Sequence, residues 1–282
     1  DECFNRNARL VFARITGWGQ EGSLAHTAGH DLNYIAITGA LHAIGRGKEK
    51  PVVPLNLIGD FGGGGMLLVN GILGALLEAG KSGKGQVVDV AMVDGTAQLL
   101  WMIQELQQKG SWNIEKRESN LLDGAAPFYD TYECSDGKYV AIGSIEPKFY
   151  SLLLEKAEIK DPEFLNQYEV TQWPDLKFKM SQIISTRTRD EWCEIMEGTD
   201  ACLTPVLTIE EATQYPPNVE RGLYTDVEGF THPSPAPRFS RTPSMIRHGA
   251  RVTGADTAEV LESMGVSVPV INEMLEDGSA YQ

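Results

Sequence analysis

Three ionisable side chains stand where the sequence turns, and they are of the types that move protons. His30 lies in Gly29-His30-Asp31-Leu32-Asn33-Tyr34, just before a helical pattern. Asp60 lies between an apolar run and four consecutive glycines, 62–65. Glu146 lies in Gly143-Ser144-Ile145-Glu146-Pro147, between a strand-like run and a helix start. An imidazole changes charge near neutral pH and suits general acid–base work. A carboxylate can share that work or act as a nucleophile. Taken singly, each residue favours a structural explanation. His30 reads as a helix-start residue, Asp60 as an N-cap for the following helix, and Glu146 as a complement to a helix dipole. The glycines favour a turn or close packing over a phosphate cradle, because no Gly-Lys-Ser/Thr follows them. No dinucleotide fingerprint sits at a strand-to-helix turn with an acidic residue after it, so hydride chemistry is not supported.

The elements that must position these residues alternate. The apolar, β-branched run 10–16 predicts a buried strand stopped by Gly17, and residues 17–20 form a loop at its carboxyl end. Open α/β sheets bind ligands at that edge. Tyr34, Ile35, Ile37, Leu41 and Ile44 recur at helical spacing and predict a helix over 32–44, with Asp31 as a candidate N-cap. A strand over 52–58, a helix over 66–79 ended by Gly80, a strand over 86–90 and a helix over 92–108 follow. Alternating strand and helix predicts a parallel sheet covered by helices. Beyond a polar stretch at 113–126, the runs 128–133 and 138–142 flank Cys134-Ser135-Asp136-Gly137, a hairpin signal. Helices are expected around 147–155, 177–185 and 190–197. The segment 232–237 reads as a stiff linker, with a last helix near 257–265 packing back on the first domain. The fold class expected is α/β: a large Rossmann-like parallel-sheet domain over 1–125, a smaller α+β domain over 126–230, and a return linker with a C-terminal helix over 231–282.

Composition excludes several functions. The 282 residues are 42% hydrophobic and 22% charged, the balance of an ordinary globular protein. No apolar run approaches the roughly 20 residues of a bilayer span, so no membrane insertion is expected. A net charge of −15 argues against a nucleic-acid partner. It also means that any polyanionic ligand must be held by local cations, the runs 46–50 and 238–241 being the candidates, although solvated loops explain both. Cys3, Cys134, Cys193 and Cys202 show neither metal-ligand spacing nor disulfide density. They predict reduced thiols in a cytoplasmic setting and no metal site. The chain begins Asp1-Glu2-Cys3 without Met, so an upstream segment, with any targeting signal, is expected to be missing.

At the three ionisable residues a family resemblance becomes specific. The string 29–34, continuing through Thr38-Gly39-Ala40-Leu41-His42-Ala43-Ile44-Gly45, closely resembles the α-methylacyl-CoA racemases, within the family III CoA-transferase (CaiB/BaiF-like) superfamily. So do Pro54-Leu55-Asn56-Leu57-Ile58-Gly59-Asp60-Phe61-Gly62, Val88-Asp89-Val90-Ala91-Met92-Val93-Asp94-Gly95, Ala126-Pro127-Phe128-Tyr129, Ile145-Glu146-Pro147 and Pro237-Arg238-Phe239-Ser240-Arg241-Thr242-Pro243. The match runs through essentially the whole chain. It implies that His30 and Asp60 are the two proton-transferring groups and that Glu146 hydrogen-bonds to His30. Gly29, His30, Asp31, Leu32, Asn33 and Tyr34 would line the thioester and pantetheine site. It also implies an acyl-CoA substrate, no cofactor beyond the CoA of that substrate, and an interlocked homodimer with each site built from two subunits. Roughly a hundred further residues would precede this start. Those residues would supply arginines for the nucleotide end of CoA, which predicts weak CoA binding by the chain as it stands.

The implied reaction inverts the carbon next to the thioester. One group removes its proton from one face, the other returns one from the opposite face, and a backbone N–H at the helix start, that of Asp31, stabilises the enolate. Two rivals remain open: a CoA-transferase in which Asp60 is the nucleophile, and a non-catalytic CoA- or partner-binding remnant. A histidine in the Gly29-His30-Asp31 string favours proton transfer.

Overall fold

The β-branched run around Ile15 forms β1, Phe12–Thr16, which pairs in parallel with β2, Val87–Ala91, Ile15 lying opposite Val90. Computed as a structural model over residues 1–282, the chain separates into two units, Asp1–Val206 and Leu207–Gln282. Both strands belong to the first. A short helix α1, Glu2–Arg6, precedes β1. After β1 the chain runs through a loop to α2, Asp31–Ile37, and α3, Ala40–Ala43. The single helix expected over 32–44 is interrupted at Gly39, whose φ of +88° a helix cannot contain.

The strand expected over 52–58 does not form. That run has no neighbour to pair with, and Leu57 instead opens a wide-turn π-helix, Leu57–Met66, which passes into α4, Leu67–Ser82. The glycines therefore lie inside a helix, and α4 stops at Gly83 in the left-handed region rather than at Gly80. Glycine is a poor helix former, but close packing overrides that preference here. A Cβ on Gly63 would sit 2.6 Å from the Thr96 nitrogen, and one on Gly95 would sit 1.8 Å from the Gly63 carbonyl oxygen. The glycines are thus a packing device, letting the π-helix backbone lie against α5, Met92–Leu99. α6, Trp101–Gln108, continues from α5 after a break at Leu100.

The stretch Leu57–Ser82 spans 26 residues and contains an 18-residue window of mean hydropathy 1.4, long and apolar enough to cross a membrane by length and composition. That differs from the expectation of no such run, because helical continuity through the glycines joins two segments that read as separate. Most of its apolar face is bare within this chain: Leu57, Phe61, Met66, Leu73 and Leu77 are all exposed.

The predicted hairpin forms as β3, Tyr129–Glu133, antiparallel to β4, Tyr139–Gly143. β5, Leu203–Val206, completes the sheet in the order β3-β4-β5. Against it pack α7, Pro147–Lys156, α8, Trp173–Ile184, and α9, Arg189–Met196. Phe128, Leu153, Phe164, Leu176, Met180 and Trp192 make the apolar core, each fully buried. Capping sharpens α9: the Thr188 hydroxyl accepts from the Glu191 N–H while Glu191 accepts from the Thr188 N–H. The second unit contains α10, Ile209–Gln214, α11, Pro216–Arg221, the hairpin β6, Tyr224–Val227, with β7, Phe230–Pro233, then α12, Thr257–Ser263, and α13, Val268–Glu276. The stiff linker expected at 232–237 thus begins inside β7, and α13 follows the single expected terminal helix.

One ion network ties the first unit together. Arg46 pairs with Glu118 at 3.2 Å and Asp130 at 2.8 Å, and Lys177 reaches both carboxylates, Asp130 at 2.7 Å. Arg46 is thereby committed to protein carboxylates rather than free for a phosphate. Burial raises the Glu118 carboxyl, but the Lys177 hydrogen bond, the Gly47 N–H and the charges of Lys177 and Arg46 outweigh it and hold Glu118 below its ordinary value.

Two outcomes are expected. Gly95→Ala forces backbone apart and should cost about 1–3 kcal/mol, measured as a lower urea midpoint. Because the folded-state pKa of Glu118 lies below the unfolded one, its stabilisation is full above the carboxylate range and fades as pH falls through the folded value. Glu118→Gln should therefore destabilise the protein at about pH 7 and lessen the loss of stability between about pH 6 and pH 3, read by urea titrations across that range.

Candidate functional site

The site is built where two helices begin. His30 precedes α2 in an extended conformation, its carbonyl accepting from the N–H groups of Asn33 and Tyr34 and its N–H donating to Asn33 Oδ1. Asn33 thus closes a capping-box arrangement with His30, whose imidazole is exposed at the helix start. Beside it, Asp31 is only 4% exposed, and its Oδ2 accepts from the Gly59 N–H at 2.7 Å and the Asp60 N–H at 2.8 Å. These amides belong to the opening turn of the π-helix, where N–H groups have no partner within their own helix. Asp60 is therefore inside the helix, not its N-cap; Asp31 supplies the cap from another element. Asp60 keeps its own carboxylate outward, accepting from Asn56 Nδ2 at 3.2 Å. His30 and Asp60 are brought together through the Asp31 side chain.

Behind them lies an aromatic wedge. Trp18 and Tyr34 meet edge to face with centroids 4.7 Å apart, and the Tyr34 hydroxyl donates to the Gly29 carbonyl. Gly17 and Gly29 are glycines because a Cβ on either would meet this pair, 2.1 Å from the Tyr34 ring and 2.6 Å from Trp18 respectively. Burial, and then the charge of Asp60, push the Tyr34 hydroxyl above its ordinary pKa, so Tyr34 serves as a neutral donor beside Asp60. Gly17, Gly19 and Gly22 have dinucleotide-fingerprint spacing after β1, but no helix opens until Asp31, so no phosphate-binding turn forms. Leu32 is exposed beside the site.

Glu146 stands elsewhere. It precedes α7, gives that helix no side-chain cap, and is exposed. No hydrogen bond or ion pair joins it to His30. Its loop is nevertheless fixed: the buried Ser144 hydroxyl donates to the Ala201 carbonyl at 2.6 Å, Gln167 Nε2 donates to the Ser144 and Ile145 carbonyls, and the Tyr168 hydroxyl donates to the Ile145 carbonyl. Slight desolvation and the charges of Glu146 and Asp200 raise the thiol of neighbouring Cys202. Burial pushes Cys134 up to about 11, which leaves it a poor nucleophile. No group of three or more His, Cys, Asp or Glu side chains converges to hold a metal.

Two clefts of this chain lie apart from these residues. One of about 650 Å³ is lined by Arg46, Asp130, Tyr132, Trp173, Lys177 and Phe178, and another of about 380 Å³ by His42, Ile103, Trp112 and Arg117 among others. His30, Asp60 and Glu146 line neither of these two. Asn56 and the Asp31 carboxylate are the contributors that sequence patterning missed. Asn56 precedes Asp60 by one helical turn, a spacing that could have flagged it. The Asp31 contact spans 28 residues and has no local signal.

Residues 1–257 match CoA-transferase family III, and the chain belongs to that family. It is 45% identical over 274 residues to the α-methylacyl-CoA racemase of Mus musculus and 44% identical over 273 residues to that of Homo sapiens, in both cases covering 96% of this chain and 71% of the relative. It is 34% identical over 238 residues to a CaiB/BaiF CoA-transferase family protein of Caenorhabditis elegans, covering 83% of this chain and 68% of the relative. Among solved structures, a CAIB/BAIF family protein from Brucella suis superposes with a TM-score of 0.75 at 22% identity, over 93% of this chain and 69% of that one, a likeness of fold.

The wedge yields a prediction. Tyr34→Phe removes the bond to the Gly29 carbonyl and should lower stability by about 0.5–1.5 kcal/mol, read as a shifted urea midpoint. An unchanged midpoint would mean that this bond holds nothing in place.

Proposed function

We propose that the chain is a racemase of 2-methylacyl-CoA thioesters, working by 1,1-proton transfer with His30 and Asp60 as the two proton carriers. The observation that carries this reading is the pairing of an exposed imidazole with the Asp60 carboxylate at two helix starts joined through Asp31. The likeness to the mouse and human racemases supports the substrate class.

In one direction the neutral His30 imidazole takes the proton from the carbon next to the thioester. The C–H electron pair moves onto the carbonyl and gives an enolate. Protonated Asp60 then delivers a proton to the opposite face, and the enolate electrons return to form the new C–H bond. The two groups exchange protonation states, so the reverse reaction uses them in swapped roles. The Asp31 N–H, in the first turn of α2 and without an intrahelical partner, is aimed to stabilise the enolate oxygen with help from the helix dipole. Asn56 orients Asp60. Residues 29–34 hold the thioester and pantetheine. No cofactor enters these steps, since CoA is part of the substrate.

Glu146 completes the site from a second copy of the chain, where its carboxylate fixes the His30 tautomer. Two features support that homodimer: an exposed acid on a rigid loop with no partner in its own chain, and the exposed apolar face of the Leu57–Ser82 stretch. In this arrangement residues 1–125 and 126–230 act as the large and small domains whose edges meet across subunits.

The test is deuterium incorporation at C2 of each enantiomer of a 2-methylacyl-CoA in heavy water. Exchange from both is expected, with no CoA transfer to an added carboxylate. His30→Ala should lower exchange from at least one enantiomer by about 10²–10⁴-fold. Undiminished exchange from both enantiomers in that variant overturns the assignment. CoA transfer without exchange would instead make Asp60 a nucleophile.

A further inference from the structure

We infer that the Asp31 side chain is a positioning residue that sets the separation of the two proton carriers, an inference that rests on the reading of His30 and Asp60 above. Asp31 follows His30 directly, and its Oδ2 takes the backbone N–H of Asp60 itself at 2.8 Å together with that of Gly59 at 2.7 Å. A single oxygen thus connects the peptide that carries the imidazole to the peptide that carries the carboxyl. Both bonds are made to a carboxylate oxygen of a buried residue, that from Gly59 buried and that from Asp60 part-buried, which makes the link short and stiff.

The surroundings are cut to fit this link. Gly59 lacks a side chain where a Cβ would stand 2.8 Å from Asp31 Oδ2 and 3.3 Å from Ile35. Ile35, one turn along α2, is wholly buried, so the start of α2 cannot slide away from the π-helix. The second oxygen, Oδ1, is buried and accepts no hydrogen bond. Asp31 therefore acts through Oδ2 alone, and what the link requires is an acceptor at that point. The carboxyl oxygen holds the geometry while the same residue's N–H faces the enolate. If that oxygen is lost, the two helix starts are free to drift, and a shift near 1 Å between reacting groups costs on the order of 10²-fold in rate.

Asparagine offers an acceptor of the same shape, whereas alanine offers none. Asp31→Ala in the full chain should therefore lower kcat for exchange from both enantiomers by about a hundredfold with KM changed less than about threefold, and Asp31→Asn should restore kcat to within about tenfold of the unaltered protein. Rates are taken per folded molecule, from circular dichroism of the same samples. Gly59→Ala provides a second route that leaves Asp31 intact but displaces its oxygen, and it should show the same fall in kcat. Three results would each overturn the inference: full kcat in Asp31→Ala, full kcat in Gly59→Ala, or an Asp31→Asn variant as slow as Asp31→Ala. Any of these with normal exchange by the unaltered protein leaves the racemase reading standing. Absence of exchange in the unaltered protein removes that reading and the positioning role with it.

Discussion

A helix cannot satisfy the amides of its own first turn, and this protein meets that constraint for one helix with a carboxylate carried at the start of another. Asp31 is the first residue of α2 and caps the π-helix at Gly59 and Asp60. The consequence is geometric. Two helix N-termini must lie close together, with their dipoles directed into the same region, and a buried negative charge stabilises both. The local field is set by backbone N–H groups at the helix starts, and the global charge acts at longer range through screening solvent.

The same constraint explains where the glycines fall. Capping from α2 draws the π-helix inward, and its flank then lies against α5 at backbone distance, which only Gly63 opposite Gly95 permits. Ile35, Ala75, Ala79, Val90 and Ala91 add buried apolar packing in this helical half. The larger core of Phe128, Leu153, Leu176 and Trp192 belongs to the three-stranded sheet and its helices. The helical half thus combines backbone fit and polar caps with a modest apolar core, and the other half relies on side-chain burial. The Arg46, Glu118, Asp130 and Lys177 network links the two halves. An ion network suits that duty because its bonds are directional and fix orientation where a greasy contact would slide.

How much of this was legible in the sequence follows from the range of the interactions concerned. The hairpin of β3 and β4 was readable because alternation and the Asp136-Gly137 turn act over a few residues. α7 and α9 were readable from Pro147 and from the Thr188–Glu191 cap spacing for the same reason. The run 52–58 failed because strand propensity does not say whether a neighbouring strand exists, and none does. The glycine tract failed because its helical state is imposed by packing against Gly95 and Thr96 some thirty residues on, against local preference. Within the site, the choice of His30 and Asp60 as proton carriers rests on a family resemblance, and the closeness of their two peptides was not legible. That depends on an Asp31 contact with no periodic signature. Residue type gave Asp60 a plausible capping role that the structure hands to Asp31.

The placement of Glu146 carries the last step. An exposed carboxylate on a mobile loop would be a poor partner for an imidazole, because ordering it on contact would offset the bond formed. Glu146 avoids this, since Ser144, Gln167 and Tyr168 lock the peptide groups on its N-terminal side and Pro147 fixes the backbone after it. The imidazole of His30 is presented in a complementary way: Asn33 closes the capping box with His30, and the ring is exposed at the helix start. In the dimer proposed above, each group is thus prepared by its own neighbours for a partner from the other subunit, and proton transfer there is contingent on association of subunits rather than on rearrangement within one.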